Sequence, residues 1–213
     1  MLRQRIISSV ILAPVAILAT WWGSWAFALL VAVGAVIAAW EWTRLVSWSP
    51  GWVAAGVVYI GVPVLSILWL RGQDRETAFW LLLVVWATDI VAYAAGRIIG
   101  GWKLMPRVSP KKTWAGLIGG TIGAAIVGGA TAAVLHLAIE PWMLAGASAI
   151  LALIAQAGDL LESAVKRHFD AKDSSALIPG HGGILDRIDG LLAAAPAAAV
   201  FCLALGGGIT AWR

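Results

Sequence analysis

Three carboxylates, Asp159, Asp186 and Asp189, stand among a cluster of cations in a chain that otherwise carries few charges. In "QAGDLLESAVKR" the residues Asp159, Glu162, Ser163 and Lys166 recur at i, i+3, i+4 and i+7, so all four project from one face of a helix. Glu162 and Lys166 can satisfy each other at i,i+4. No cation follows Asp159 within four residues, so its neutralising partner must come from elsewhere. In "HGGILDRID", Asp186 and Asp189 stand three apart, which turns both to one side if the helix has begun. The two glycines before them let the backbone approach a ligand closely. Hard oxygen ligands of this kind suit Mg²⁺, as one or two ions with room for a monovalent cation.

The cations around them are Arg107, Lys111 and Lys112 in "RVSPKKTWAG", then Lys166, Arg167, Lys172 and Arg187. Carboxylates to hold a divalent cation, with Lys and Arg to hold phosphate oxygens, is the grouping that phosphoryl or nucleotidyl transfer needs. By themselves the lysines would equally fit membrane topology or anionic lipid. Ser109 and Pro110 suggest a turn into the next helix, whose N-terminus could receive an anion. His181 has no His or Cys beside it and makes a poor zinc site; a phosphate hydrogen bond or a structural role in the Pro179 to Gly183 turn suits it better. Cys202 is the single cysteine, which excludes an intrachain disulfide, and its apolar neighbours point to packing.

The elements that must position these groups are apolar. The chain of 213 residues is 61% hydrophobic and 12% charged, with a mean hydropathy of +0.89, outside the range of soluble domains. Apolar stretches fall at about 6–22, 25–41, 52–70, 77–96, 114–138, 142–165 and 190–212, each near the length that crosses a bilayer. The expected fold is therefore all-α, a polytopic membrane bundle of about seven helices forming one domain over residues 1–213. Arg3 and Arg5 precede the first apolar run, but "TWWGSWA" is a poor cleavage context, so the run reads as a retained helix.

An N-terminus in the cytoplasm puts Arg3, Arg5, Arg44, Arg97, Lys103, Arg107, Lys111, Lys112, Lys166, Arg167, Lys172 and Arg187 on that side, against Arg71, Arg75 and Arg213 on the other. The bias fixes that orientation and explains the net charge of +4 without nucleic acid. Trp21, Trp22, Trp25, Trp40, Trp42, Trp52, Trp69, Trp114, Trp142 and Trp212 fall near predicted ends, as interface anchors do. Gly116 with Gly120, and Gly119 with Gly123, have small-xxx-small spacing, a close-packing pattern. Asp89, inside "WATDIVAYAAGR", is expensive in a span and is expected to face a polar cavity or a cation, the bland alternative being a helix-packing Asp satisfied by Tyr93 or a backbone donor.

The stretch from Ser163 to Asp189 resembles the signature of the phosphatidate cytidylyltransferase family, the CDP-diacylglycerol synthases. Ser163, Lys166, Arg167, Lys172, Asp173, Pro179, His181, Gly182, Gly183, Asp186, Arg187 and Asp189 meet its pattern. "DIVAYAAGRIIG", "SPKKTWAG", "QAGDLLES", "MLRQRIISSVILAP" and "WEWTRL" are similar to further family blocks. Between Trp48 and Thr77 the chain is one or two spans shorter than typical members, and Gly190 stands where a Ser is common.

The resemblance implies a cell-membrane enzyme that moves CMP from CTP to phosphatidate with Mg²⁺, releasing pyrophosphate, and that works as a homodimer. On this reading Asp159, Asp186 and Asp189 hold metal and act in catalysis with Lys166 and Arg167. Ser109, Lys111, Lys112, Lys172, His181, Arg187 and Asp89 bind substrate. A related CTP-dependent enzyme with another lipid acceptor shares these needs. A transporter would place its polar groups near the midplane, whereas here they gather at the cytoplasmic ends.

Overall fold

A computed structural model of the chain describes residues 13–177 and 182–212. Six helices in it are long and apolar enough to cross a membrane: α2 (Ser24–Leu45), α3 (Pro50–Gln73), α4 (Arg75–Ile98), α5 (Trp114–Val134), α6 (Pro141–His168) and α7 (Leu185–Ala204). A shorter apolar helix, α1 (Ala13–Trp22), precedes them; the rest of the expected first span, with Arg3 and Arg5, lies outside the described residues. The all-α membrane bundle is as expected, with one addition. Strands β1 (Lys103–Met105) and β2 (Ser109–Thr113) form an antiparallel hairpin between α4 and α5. Ser109 and Pro110 therefore begin a strand rather than a turn, and the helix waits for Thr113, whose Oγ1 accepts from Gly116 N at 3.0 Å as an N-cap does.

The last helix also differs from expectation: it runs over Leu185–Ala204, not 190–212. Hydropathy alone overlooks the stop at Gly206 and Gly207, both at positive φ (85° and 144°), which glycine adopts without strain. Beyond it the chain folds back onto the α3–α4 corner. Ile209 N donates to Thr77 Oγ1 at 2.8 Å and Thr210 Oγ1 to Asp74 Oδ2 at 2.8 Å.

Successive helices are neighbours, joined by short connections at α2–α3, α3–α4 and α5–α6 and by the hairpin and a longer polar loop at α4–α5 and α6–α7, and α7 closes against both α3 and α6. The α4–α5 contact is set by glycine. A Cβ at Gly116 would meet Ala92 O, and one at Gly120 would meet Thr88 O, so the small-residue stripe is occupied within this chain. Leu70, Trp80, Leu81, Val84, Leu144, Leu151, Ala194 and Cys202 form the main core. Only 22–39% of each apolar window is buried, which leaves most of each helix as apolar surface suited to lipid. Two of the expected interface tryptophans are core residues instead: Trp42 donates to Trp52 O at 2.8 Å and Trp212 to Gly207 O at 2.8 Å. Trp21, Trp22, Trp25, Trp40, Trp114 and Trp142 are exposed as expected.

Candidate functional site

The C-terminal ends of α2, α4 and α6, the N-terminal ends of α3, α5 and α7, and the hairpin share one end of the bundle. On α6 the polar stripe is as the spacing predicts. Ser163 Oγ donates to Asp159 Oδ1 at 3.4 Å, and Lys166 Nζ stands 3.3 Å from Glu162 Oε1. Lys166 is buried, and its ammonium also lies 2.5 Å from Asp186 Oδ1 on α7. One lysine thus joins two carboxylates from facing helices, and its charge is committed inside the protein.

The second oxygen of Asp186 gathers the loop before α7. Oδ2 accepts from Ser174 N at 3.0 Å, Ser174 Oγ at 3.0 Å and Gly183 N at 2.8 Å. Gly182 has φ +83°, and a Cβ there would come 2.6 Å from Asp186 Oδ2. A Cβ at Gly183 would overlap Ser174 Oγ and the Glu41 carboxylate. The two glycines do permit close approach, but what comes close is the protein's own carboxylates. Asp189, one turn further, lies beside Glu162 and accepts from Gly190 N at 2.7 Å.

The neutralising partner that Asp159 requires comes from β2. Lys112 Nζ is 2.5 Å from Asp159 Oδ2 and donates to Gln156 O at 3.3 Å. Because strand residues alternate faces, the adjacent Lys111 points away and is exposed. Arg167, also exposed, donates from Nε to Val108 O at 3.4 Å and from Nη1 to Ala171 O at 3.1 Å, tying the end of α6 to the hairpin. Lys172 and Arg187 are exposed on the same end. Asp89 opens to the surface, in electrostatic range of Asp159, Lys112 and Arg187; Tyr93 instead accepts from Arg97 Nη1 at 3.3 Å. Ser109 is half-buried at the start of β2. His181 and Pro179 lie outside the described residues.

Sequence reasoning missed Glu41. It sits on α2 in "WEWTRL" and is fully buried. Its Oε1 accepts from Ser175 Oγ at 2.6 Å and Ile184 N at 3.0 Å, and its Oε2 from Ser174 Oγ at 3.2 Å and Leu185 N at 2.8 Å. The signal was a lone acid in an apolar helix, the same signal that drew attention to Asp89.

Among the described residues no three Asp, Glu, His or Cys side chains are close enough together to share one ion as they stand. The donor chemistry nonetheless fits a hard cation. Both oxygens of Glu162 are buried without a well-formed hydrogen bond among the described residues, the Lys166 ammonium 3.3 Å from Oε1 being their one cation, and Asp189 lies beside them. Asp186 has three donors on Oδ2 but only Lys166 on Oδ1, so Oδ1 keeps acceptor capacity. Next to Glu162 an apolar cavity of about 360 Å³ is lined by Trp42, Trp52, Tyr59, Leu161 and Val165; Tyr59 Oη, buried without a hydrogen-bond partner among the described residues, is on its wall.

A model of the cytidylyltransferase family matches residues 48–205. The chain is similar to the phosphatidate cytidylyltransferase of Brucella abortus (strain 2308), with 47% identity over 171 residues, covering 78% of this chain and 63% of that protein. It is also similar to the phosphatidate cytidylyltransferase of Rickettsia typhi (strain ATCC VR-144 / Wilmington), with 36% identity over 200 residues, covering 90% and 88%. The match thus spans less than two thirds of the length of the Brucella relatives.

Proposed function

From the premise that this chain belongs to the cytidylyltransferase family, we propose that it transfers CMP from CTP to phosphatidate, giving CDP-diacylglycerol and pyrophosphate. The observation that carries this reading is one polar cluster with an apolar cavity beside it. Asp159, Glu162, Asp186 and Asp189 sit with Lys112 and Lys166 at the end of the bundle that carries most of the basic residues. An apolar cavity opens beside the same Glu162. A nucleotide suits the basic end, and the apolar chains of a lipid phosphate suit the cavity and the surrounding bilayer.

On this reading the basic end faces the cytoplasm, which the bias of Lys and Arg supports, and the protein resides in the cell membrane. An acceptor phosphate oxygen forms a bond to the α-phosphorus of CTP while the bond to the β-phosphate oxygen breaks and pyrophosphate leaves. The acceptor is a phosphate monoester with a second pKa of about 6, so it arrives largely ionised and needs no strong general base. Lys112 and Lys166 keep positive charge at the carboxylates, and of the two Lys112 is the more open to incoming phosphate oxygens. Lys111, Arg167, Lys172 and Arg187, exposed around the rim, attract the polyanionic nucleotide. Asp159, Asp189 and Asp186, with Glu162 between them, would hold Mg²⁺, which when bound neutralises phosphate charge. A homodimer belongs to the same reading on the strength of the family resemblance.

The test is direct. Detergent-purified protein with CTP and Mg²⁺ should release pyrophosphate only when phosphatidate is present, with a CDP-lipid product. Release with a different lipid phosphate alone would move the acceptor; no release from folded protein would remove the reaction.

A further inference from the structure

Glu41 differs in kind from every other acid at this end. Each of its two oxygens faces two donors, with Ser174 Oγ sharing its single proton between Glu41 and Asp186, which nearly fills the roughly four lone-pair sites of a carboxylate. It therefore has little capacity left for a metal or a substrate, in contrast to Glu162, whose buried oxygens face only the Lys166 ammonium, 3.3 Å from Oε1. The four donors to Glu41 are two hydroxyls and two backbone amides, all of them neutral. What offsets the cost of burying its charge is the N-terminal end of α7, through Ile184 N and Leu185 N, and two hydroxyls.

Those four donors bracket the signature loop on both sides. Ser174 and Ser175 precede it, and Ile184 and Leu185 begin the helix that carries Asp186 and Asp189. Ser174 Oγ reaches Glu41 Oε2 at 3.2 Å and Asp186 Oδ2 at 3.0 Å, so a single hydroxyl connects the two carboxylates. The side-chain-free Gly183 is what lets Glu41 and Ser174 come this close.

We infer that Glu41 is a positioning residue. From α2 it clamps both ends of the loop to the first turn of α7 and so sets where Asp186 and Asp189 stand during transfer. This role rests on the proposed reaction; the clamp itself does not.

The test uses full-length protein in detergent with lipid, comparing Glu41→Gln with the wild type. Gln keeps the shape but turns an amide NH₂ toward groups that donate. Loss of a charge-assisted hydrogen bond of this type corresponds to about tenfold to a hundredfold, and that is the expected fall in kcat, with KM for CTP and for phosphatidate within about twofold. Hydrogen–deuterium exchange without substrates should accelerate at Ile184 and Leu185 but not in α4 or α5. A purely structural role would lower the yield of folded protein and leave kcat per folded molecule unchanged, and that result overturns the inference. Wild-type protection at Ile184 and Leu185 in the variant also overturns it. If Glu41→Gln does not fold, Ser175→Ala removes one donor and should lower kcat about threefold to tenfold; unchanged kcat there is equally fatal. A wild type that never turns over CTP would remove the reaction and the positioning role together, while the exchange data would still judge the clamp.

Discussion

Lys112 on the hairpin and Asp159 on α6 meet at 2.5 Å, so the adjacent lysines of the hairpin are fastened to the carboxylate cluster through Lys112. Lys111, on the other face of the strand, is exposed.

The two lysines should therefore separate kinetically. Lys112→Met should lower kcat and interact non-additively with Asp159→Asn. The side chains are 22% and 36% exposed, so solvent screens the pair and the coupling energy should be about 1 kcal/mol. Lys111→Met should raise KM for CTP with little change in kcat. A double-mutant cycle on kcat/KM, with KM measured separately for each substrate, checks both.

Lys166 answers to stability as well as activity. Its removal would leave Glu162 and Asp186 without their shared cation, and breaking such a buried arrangement costs about 3–5 kcal/mol. Lys166→Ala should show a large loss of thermal stability in detergent, measured as the midpoint of tryptophan fluorescence, whereas Lys172→Ala at an exposed position should not. Equal midpoints for the two variants would contradict the bridging role.

Asp159→Ala and Asp189→Ala should each abolish phosphatidate-dependent pyrophosphate release while the protein still inserts and purifies, since neither removes apolar packing. Asp186→Ala should lose activity and also loosen the loop, because Asp186 holds Ser174 and Gly183. Turnover retained in the first two, with Mg²⁺ as the only divalent ion, would refute the proposed metal ligands.

Gly183 and Gly190, seven residues apart, should respond oppositely to the same substitution. Gly183→Ala drives a methyl into Ser174 Oγ and the Glu41 carboxylate and should cut activity by more than about tenfold, the equivalent of about 1.4 kcal/mol. At Gly190 an added Cβ finds its nearest neighbour, Ala155 Cβ, at 3.5 Å, an ordinary contact. Gly190→Ala should be tolerated, with a gain of about 0.5–1 kcal/mol from helix propensity. Activity and melting of the two variants, measured side by side, decide this.

The helices and the polar cluster were legible because their signals are local. Apolar stretches mark the spans, and the i, i+3, i+4, i+7 spacing places Asp159, Glu162, Ser163 and Lys166 on one face. The sequence also required a distant partner for Asp159 but could not name Lys112, because strand-to-helix pairing leaves no periodic trace. Glu41 was hidden for the same reason: its four donors lie at least 133 residues away. The hairpin was missed because strands of three and five residues are too short to register as a pattern. The early start of α7 was missed because its first turn is charged, so hydropathy placed the boundary after Asp189 when the helix begins at Leu185.

The reach of Glu41 from α2 to the start of α7 also bears on how the protein is made. Chains grow from the N-terminus, and segments fold as they emerge. Glu41 is synthesised and delivered to the membrane long before Ser174, Ser175, Ile184 and Leu185 exist to receive it. Until they do, its carboxylate lacks all four of the donors that hold it in the finished protein, and water or headgroups must serve in their place. The end of the bundle that carries the carboxylate cluster is thus assembled last, when α7 arrives and draws that waiting acid out of the interface.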